Sequence, residues 1–320
     1  MNISKTLGRY EHLWRKDNAI YLAFGWAALS LFTYVFFSGP AGGDRPFWYR
    51  IFTAYILQNV PTLVAGLLCL RNGLSRRMPS GSQVWLFIGI ALLSYFTGNI
   101  FFSSWELVWH LNSTGSLGDP FFVIFYICLS IGMLGMLVSK QVRLNIYQWS
   151  LVAGISTYAA VILMWVLKPP APPVAISQTQ AVATAAMAPE IQPAETPATP
   201  APEPIVTFDR LLKPYGQKLN LFYVWSDVFL FALAIVMTLA FWGGRLSSAW
   251  QTNALAIVCY YIADMWLAYA GNHIQDYQGG FMLEVFWILG AILFGVAASI
   301  EFEYMLARKQ NSEPSFYDDF

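Results

Sequence analysis

The chain has 320 residues, of which 57% are hydrophobic and 11% are charged. Soluble domains carry roughly 25% charged residues, so this composition excludes an ordinary water-soluble fold and indicates a protein surrounded by lipid. Basic and acidic residues balance at 18 each, so no excess charge points to nucleic acid as a partner. The three cysteines, Cys69, Cys128 and Cys259, all lie in apolar runs and do not predict a disulfide framework.

Eight apolar runs approach the roughly 20 residues that a membrane-spanning helix needs. In chain order they are Tyr21–Phe37, Ile51–Leu70, Val84–Phe102, Pro120–Val138, Trp149–Leu167, Leu221–Trp242, Ala254–Ala270 and Met282–Ile300. Backbone amides in hydrocarbon must bond within the segment, so we expect helices and an all-α polytopic bundle. The first run is too long for a signal peptide, and we interpret it as a retained helix.

The distribution of basic residues predicts the orientation of these spans. Twelve of the 18 lysines and arginines fall on one side if the N-terminus is cytoplasmic: Lys5, Arg9, Arg15, Lys16, Arg71, Arg76, Arg77, Lys140, Arg143, Arg245, Arg308 and Lys309. Four of the remaining six lie in one long loop. We therefore expect both termini in the cytoplasm of a multi-pass membrane protein.

The stretch from residue 168 to 204 holds ten of the 17 prolines and cannot bury a core. We predict a first four-helix unit over 1–146, a fifth span over 147–167 and a disordered extracytoplasmic linker over 168–207. The rest of the second unit occupies 208–308, beginning with an amphipathic segment, and a cytoplasmic tail occupies 309–320.

A shift of 165 residues aligns part of the two units, from Trp85 to Asp119 in the first, without a gap. It pairs Trp85 with Trp250, Tyr95 with Tyr260, Asn99 with Asp264, and Asp119 with Glu284. A shorter second loop also places Gln58 on Asp227. These matches predict a parallel duplication of four spans, in which polar residues recur at equivalent depths.

Asp264 is the sharpest functional candidate, because a carboxyl inside a span must face the bundle interior. One interpretation is a proton, cation or ligand site that includes Asn99, Tyr260 and Asp227. The alternative is a structural hydrogen bond from Asp264 to Asn99 or to a tyrosine, with Asp227 hydrated near the span end.

The predicted outer ends of the spans collect six further candidates for a metal or cationic ligand. They are Glu106, His110, Asp119, His273, Asp276 and Glu284, with no basic residue in the same short loops. Only Glu106 and His110 show a ligand spacing, one helical turn apart, and a solvated polar rim is the alternative. Haem held by His110 and His273 is a further option, so the cofactor stays open.

Two other features predict helix geometry rather than chemistry. Pro61 predicts a kink in the second span, and Gly132, Gly135, Gly290 and Gly295 predict close helix packing. Glu301 and Glu303 are expected at a solvated helix end. No catalytic triad order, phosphate-binding glycine loop or HExxH motif occurs, so we do not expect an enzyme.

The segment LGDPFFVIFYICLSIGMLGML and its partner in the second unit resemble the polytopic membrane input modules of bacterial GGDEF diguanylate cyclases and histidine kinases. The resemblance rests on Asp119 and Tyr126 in the first unit, and on four residues in the second: Asp264, Trp266, Glu284 and Trp287. It implies a membrane sensor of the bacterial inner membrane, with the thylakoid membrane as the alternative location. Since only residues 301–320 follow the last span, we expect no output domain and a signal passed to a membrane or cytoplasmic protein partner.

Three functions therefore compete. The first is a non-enzymatic membrane sensor or adaptor acting through a partner. The second is an accessory or assembly subunit of a larger membrane complex, which the 17% aromatic content would suit. The third is a proton- or cation-coupled transporter built around Asp264 and Asn99.

Overall fold

The computed structural model describes residues 16–75, 78, 81–111, 115–142, 144–168, 201–241, 247–274 and 277–312. Within these ranges the regular structure is helical throughout, with no strand. Eight helices are long and apolar enough to cross a membrane, and each contains most of one predicted span. The all-α polytopic fold is thereby confirmed.

The helices are numbered in chain order. They are α1 (Lys16–Phe37), α2 (Phe47–Leu74), α3 (Ser82–Leu107), α4 (Asp119–Ser139), α5 (Ile146–Val166), the short α6 (Glu203–Leu212), α7 (Gly216–Ala240), α8 (Ser247–His273) and α9 (Val285–Ser312). A single 3₁₀ turn, Met282–Glu284, leads into α9 and another, Lys213–Tyr215, leads into α7.

Six of the long helices form a closed ring. Around it, α2 packs on α3, α3 on α4, α4 on α7, α7 on α8, α8 on α9, and α9 back on α2. The other two helices lie outside the ring, α1 against α9, and α5 against α7 and α8. The ring leaves α3 and α8 opposite each other, so their inward faces decide what occupies the centre.

Aromatic side chains fill the centre of the ring of helices. Trp85 of α3 meets Trp250 of α8 with ring centroids 5.3 Å apart, and Tyr95 meets Tyr260 at 5.2 Å. Both contacts join residues that the 165-residue shift pairs, as a twofold axis between two copies would produce. The contacts of α1 and α5 do not follow this symmetry, and the duplication itself stays a prediction.

The second span departs from α-helical geometry just before Pro61. Phe52–Leu57 form a π-helix, in which the Gln58 amide donates to the Thr53 carbonyl at 3.1 Å. Pro61 has no N–H for the Leu57 carbonyl, and the indole of Trp26 on α1 donates to that oxygen at 3.0 Å. A neighbouring helix thus satisfies the backbone group that proline leaves free, as lipid cannot.

Two expectations about polar segments need correction. Helix α6 begins at Glu203, so the predicted linker does not extend to residue 207. Glu301 is only 1% exposed and α9 continues beyond it to Ser312, so Glu301 does not mark a solvated helix end. The linker over 169–200 and the tail beyond Ser312 lie outside the described residues.

Close packing at two of the four predicted glycines is confirmed by the space around them. A Cβ on Gly290 would lie 2.5 Å from the Tyr260 ring, and one on Gly132 would lie 3.0 Å from Ile88. A Cβ on Gly135 or Gly295 would make ordinary contacts. Two glycines without a predicted packing role, Gly73 and Gly89, are also closely packed, since a Cβ there would meet backbone atoms of Leu86 and Leu70.

The Gly290→Ala substitution should destabilise the fold by about 1–3 kcal/mol, because the added methyl overpacks the α8–α9 contact. Gly154→Ala is the matched control, since nothing lies within 4 Å of a Cβ there. Denaturant unfolding in mild detergent measures both variants. Equal stability of the two would contradict the packing described for Gly290.

The Trp26→Phe substitution should cost about 1–3 kcal/mol, because it leaves the buried Leu57 carbonyl without a donor. Pro61→Ala restores an N–H at the position that donates to Leu57 in an α-helix. The cost of Trp26→Phe should therefore shrink in the Pro61→Ala background. A double-mutant cycle of unfolding free energies measures this coupling, and strict additivity would refute it.

Candidate functional site

The central polar feature is a pair of carboxyls from two neighbouring ring helices. Asp227 lies on α7 and Asp264 on α8, and the two side chains are within hydrogen-bonding reach of each other. Asp227 is buried, so the expectation that it is simply hydrated is wrong. The structure therefore brings together two of the four predicted intramembrane residues through a direct contact.

Each carboxyl of this pair also accepts a hydrogen bond from a different helix. The Tyr126 hydroxyl on α4 donates to Asp227 Oδ1 at 2.7 Å, and the Trp287 indole on α9 donates to Asp264 Oδ1 at 2.8 Å. Four ring helices thus converge on the pair. Tyr126 and Trp287 have no predicted role of their own, and only the resemblance to membrane input modules includes them.

A small cavity lies beside the pair, with room for about one water molecule. Its walls combine polar and apolar groups from α4, α7 and α8: Phe125, Tyr126, Leu129, Asp227, Leu230, Ile257, Tyr260, Tyr261 and Asp264. The cavity suits a proton with its water, or a small cation, rather than an organic ligand.

Asn99 does not join Asp264, so its predicted membership of the Asp264 site is wrong, and so is the hydrogen bond to Asp264 that was one of its two structural alternatives. Its amide donates to Asn59 Oδ1 at 3.0 Å and to the Ala54 carbonyl at 3.3 Å. Asn59 also donates to Ala54, at 3.0 Å. The two amides thus satisfy a carbonyl of the π-helical turn, so Asn99 stabilises the irregular part of α2 instead of lining the carboxyl site.

Tyr260, the fourth predicted residue, belongs to the site through its ring. The ring lines the cavity and also contacts Tyr95. The Tyr95 hydroxyl accepts a hydrogen bond from Gln58 Nε2 at 3.1 Å. Tyr95 of α3 and Gln58 of α2 therefore form a line of polar groups that leads from the carboxyl site to the π-helical turn.

At the predicted outer end, Asp119 is the first residue of α4, and Glu284 is the last residue of the 3₁₀ turn that leads into α9. Asp119 accepts from the Ser116 amide and the Tyr223 hydroxyl, each at 2.6 Å. Glu284 accepts from the Gly280 amide at 2.6 Å and from the Tyr277 hydroxyl. Each carboxylate is thus used to hold a loop onto a helix start, where negative charge is favoured.

A buried arginine, which sequence reasoning left unassigned, completes this loop structure. Arg45 donates to the carbonyls of Ser38 at 2.7 Å, Gln278 at 2.6 Å and Pro40 at 3.3 Å, and it thereby ties two loops together.

Burial, and then the nearby Glu284 carboxylate, raise the pKa of Tyr277, so its hydroxyl stays protonated as a donor.

The remaining outer candidates do not converge. Glu106 pairs with Arg50 at 2.6 Å, so a basic group does reach this rim from the start of α2. Helix α3 ends at Leu107 and His110 adopts φ +51°, so the expected helical spacing of Glu106 and His110 is wrong. Asp276 lies outside the described residues.

His273 stacks on Tyr269, with ring centroids 4.4 Å apart, and its Nδ1 contacts the Tyr269 carbonyl at 3.0 Å. Across the described ranges, no three histidine, cysteine or acidic side chains lie close enough together to hold a metal ion. The metal and haem hypotheses therefore gain no support from the geometry, and the carboxyl pair is the better candidate.

Comparison of the chain with known protein families, with curated proteins and with solved structures gave no match. The geometry of the carboxyl pair is therefore the basis for inferring a function.

The Tyr126→Phe substitution should lower the unfolding free energy by about 1–3 kcal/mol, because Asp227 loses its donor from α4. Tyr158→Phe is the control, since Tyr158 is 68% exposed on α5. Thermal unfolding of both variants in the same detergent provides the comparison. A Tyr126→Phe protein as stable as the control would show that this hydrogen bond contributes nothing.

Proposed function

We propose that this protein is a membrane sensor or adaptor whose switch is the protonation of the Asp227–Asp264 pair. The observation that carries the proposal is the contact between two carboxyls from different helices inside an apolar bundle. The multi-pass membrane character of the chain provides the setting. The resemblance of the sequence to membrane input modules points to the same class.

Two negative charges in direct contact are costly where little water can screen them. One shared proton removes this repulsion and allows the carboxyls to hydrogen-bond each other. In that state an unbroken chain runs from Tyr126 through Asp227 and Asp264 to Trp287. We therefore assign the packed arrangement to the protonated pair.

Loss of the shared proton would place two carboxylates against each other. The repulsion is relieved if α7 and α8 separate at this depth, or if a cation enters the cavity. Either change acts on α4 and α9, because Tyr126 and Trp287 attach those helices to the pair. A local charge change thus becomes a rearrangement across the ring, as a two-state switch requires.

The peripheral helices offer surfaces for lipid and for a protein partner. On α5, Tyr147 is 82% exposed and Trp165 is 60% exposed. Since α5 packs against both α7 and α8, it borders the two helices that carry the carboxyls. We propose that a partner reads the state of the pair along this side of the ring.

Difference infrared spectroscopy in lipid nanodiscs tests the switch between acidic and neutral pH. We expect a carbonyl stretch of a protonated carboxyl that disappears in Asp227→Asn and in Asp264→Asn. Glu203→Gln is the control, since Glu203 is exposed on α6. The proposal fails if the wild-type protein shows no such band, or if the band survives in both aspartate variants.

Affinity purification from native membranes tests the adaptor role. A protein partner should co-purify with the wild type, and its recovery should change several-fold in Asp264→Asn but not in Glu203→Gln. A partner recovered equally with all three would support the accessory-subunit function instead.

A proton-coupled transporter is the second candidate, because the cavity beside the carboxyls could hold a proton on its way across. A pH-sensitive dye inside liposomes distinguishes the two functions. Proton flux that Asp264→Asn abolishes would favour the transporter, and a sensor should give no flux while it keeps the infrared band.

A further inference from the structure

Three side chains of α8 are buried, and their polar atoms have no hydrogen-bond partner at a normal distance and angle. They are the indole N–H of Trp250, both polar atoms of the Asn253 amide and the hydroxyl of Tyr260. Trp250 and Asn253 are completely buried, and Tyr260 is 4% exposed. The Tyr260 hydroxyl lies near Thr62, which donates its own proton to the Gln58 carbonyl.

Asn253, Tyr260 and Asp264 lie on one face of α8. Their spacings of seven and four residues correspond to about 10 Å and about 6 Å along a helix, with little rotation between them. Trp250 lies about one turn before Asn253. A column of polar groups therefore runs from the carboxyl pair to the first turn of α8, which begins at Ser247.

Buried polar groups without partners in a native protein are usually bonded to internal water. Asn253 offers two donor hydrogens and an acceptor, Trp250 a donor, and Tyr260 both roles, which is the set that bridging waters require. The cost of leaving these groups unpaired exceeds the cost of immobilising water beside them. The surrounding side chains cover the atoms, so water reaches them by displacing side chains.

We propose that a file of internal water molecules binds along this face of α8 and connects Asp264 with the end of the bundle where α8 begins. The file is the route by which the carboxyl pair exchanges its proton with solvent on the predicted cytoplasmic side. The route rests on the proposed function, whereas the water sites do not depend on it.

Radiolytic hydroxyl-radical labelling in nanodiscs tests the water sites, because radicals formed from bound water modify the side chains beside it. Trp250 should be modified several-fold faster than Trp105, which is equally buried but donates its indole N–H to Asp209. Tyr260 should likewise exceed Tyr49, whose hydroxyl donates to the Gly280 carbonyl. Rates equal to those of Trp105 and Tyr49 would overturn the proposal.

Asn253→Leu removes the polar atoms at similar volume and should fold, since it relieves an unpaired amide. It should reduce Trp250 labelling to the Trp105 rate and slow hydrogen–deuterium exchange of the carboxyl band by about tenfold. Thr252→Val on the same helix is the control. An unchanged exchange rate in Asn253→Leu overturns the route, whereas absence of the band in the wild type overturns only the proposed function.

Discussion

Lipid offers no hydrogen bonds, so every polar group within the bundle must find its partner in the protein or in water bound inside it. This constraint explains the least regular part of the structure. Where Pro61 removes a donor, the Trp26 indole serves the Leu57 carbonyl. Where the π-helical turn frees the Ala54 carbonyl, the amides of Asn59 and Asn99 serve it. The irregular second span is stabilised because α1, α3 and its own Asn59 provide these donors.

The same constraint sets the carboxyl pair apart from the other acidic residues. Asp119 and Glu284 are supplied with backbone and tyrosine donors that stabilise a carboxylate at a helix start. Asp227 and Asp264 each have one side-chain donor and then face each other. Because Asp227 and Asp264 have no further donors than these among the described residues, in the proposed switch they share a proton, and gain or loss of that proton changes the state of the site. The outer acids, by contrast, hold loops in place.

The fold was predictable because hydropathy alone identifies the spans, and each long apolar run became a helix. The site was only partly predictable. A carboxyl in a span must face inward, and Asp264 does lie inside the bundle, but its partner depends on how the helices are arranged around the ring. The 165-residue shift therefore pairs Asn99 with Asp264, although the Asn99 amide donates to Ala54 and Asn59 of α2. Trp287 was beyond sequence reasoning, because an indole in an apolar run shows no sign of its donor role.

The π-helical turn at Phe52–Leu57 also sets the angular position of the start of α2. It contains one residue more than an α-helical turn would, and one residue corresponds to about 100° of rotation. That rotation aims Tyr49 at the Gly280 carbonyl and Arg50 at Glu106, while Gln58 beyond the turn still faces Tyr95. The extra residue therefore rotates the start of α2 relative to the rest of the helix, so that the two ends of one continuous span face different neighbours.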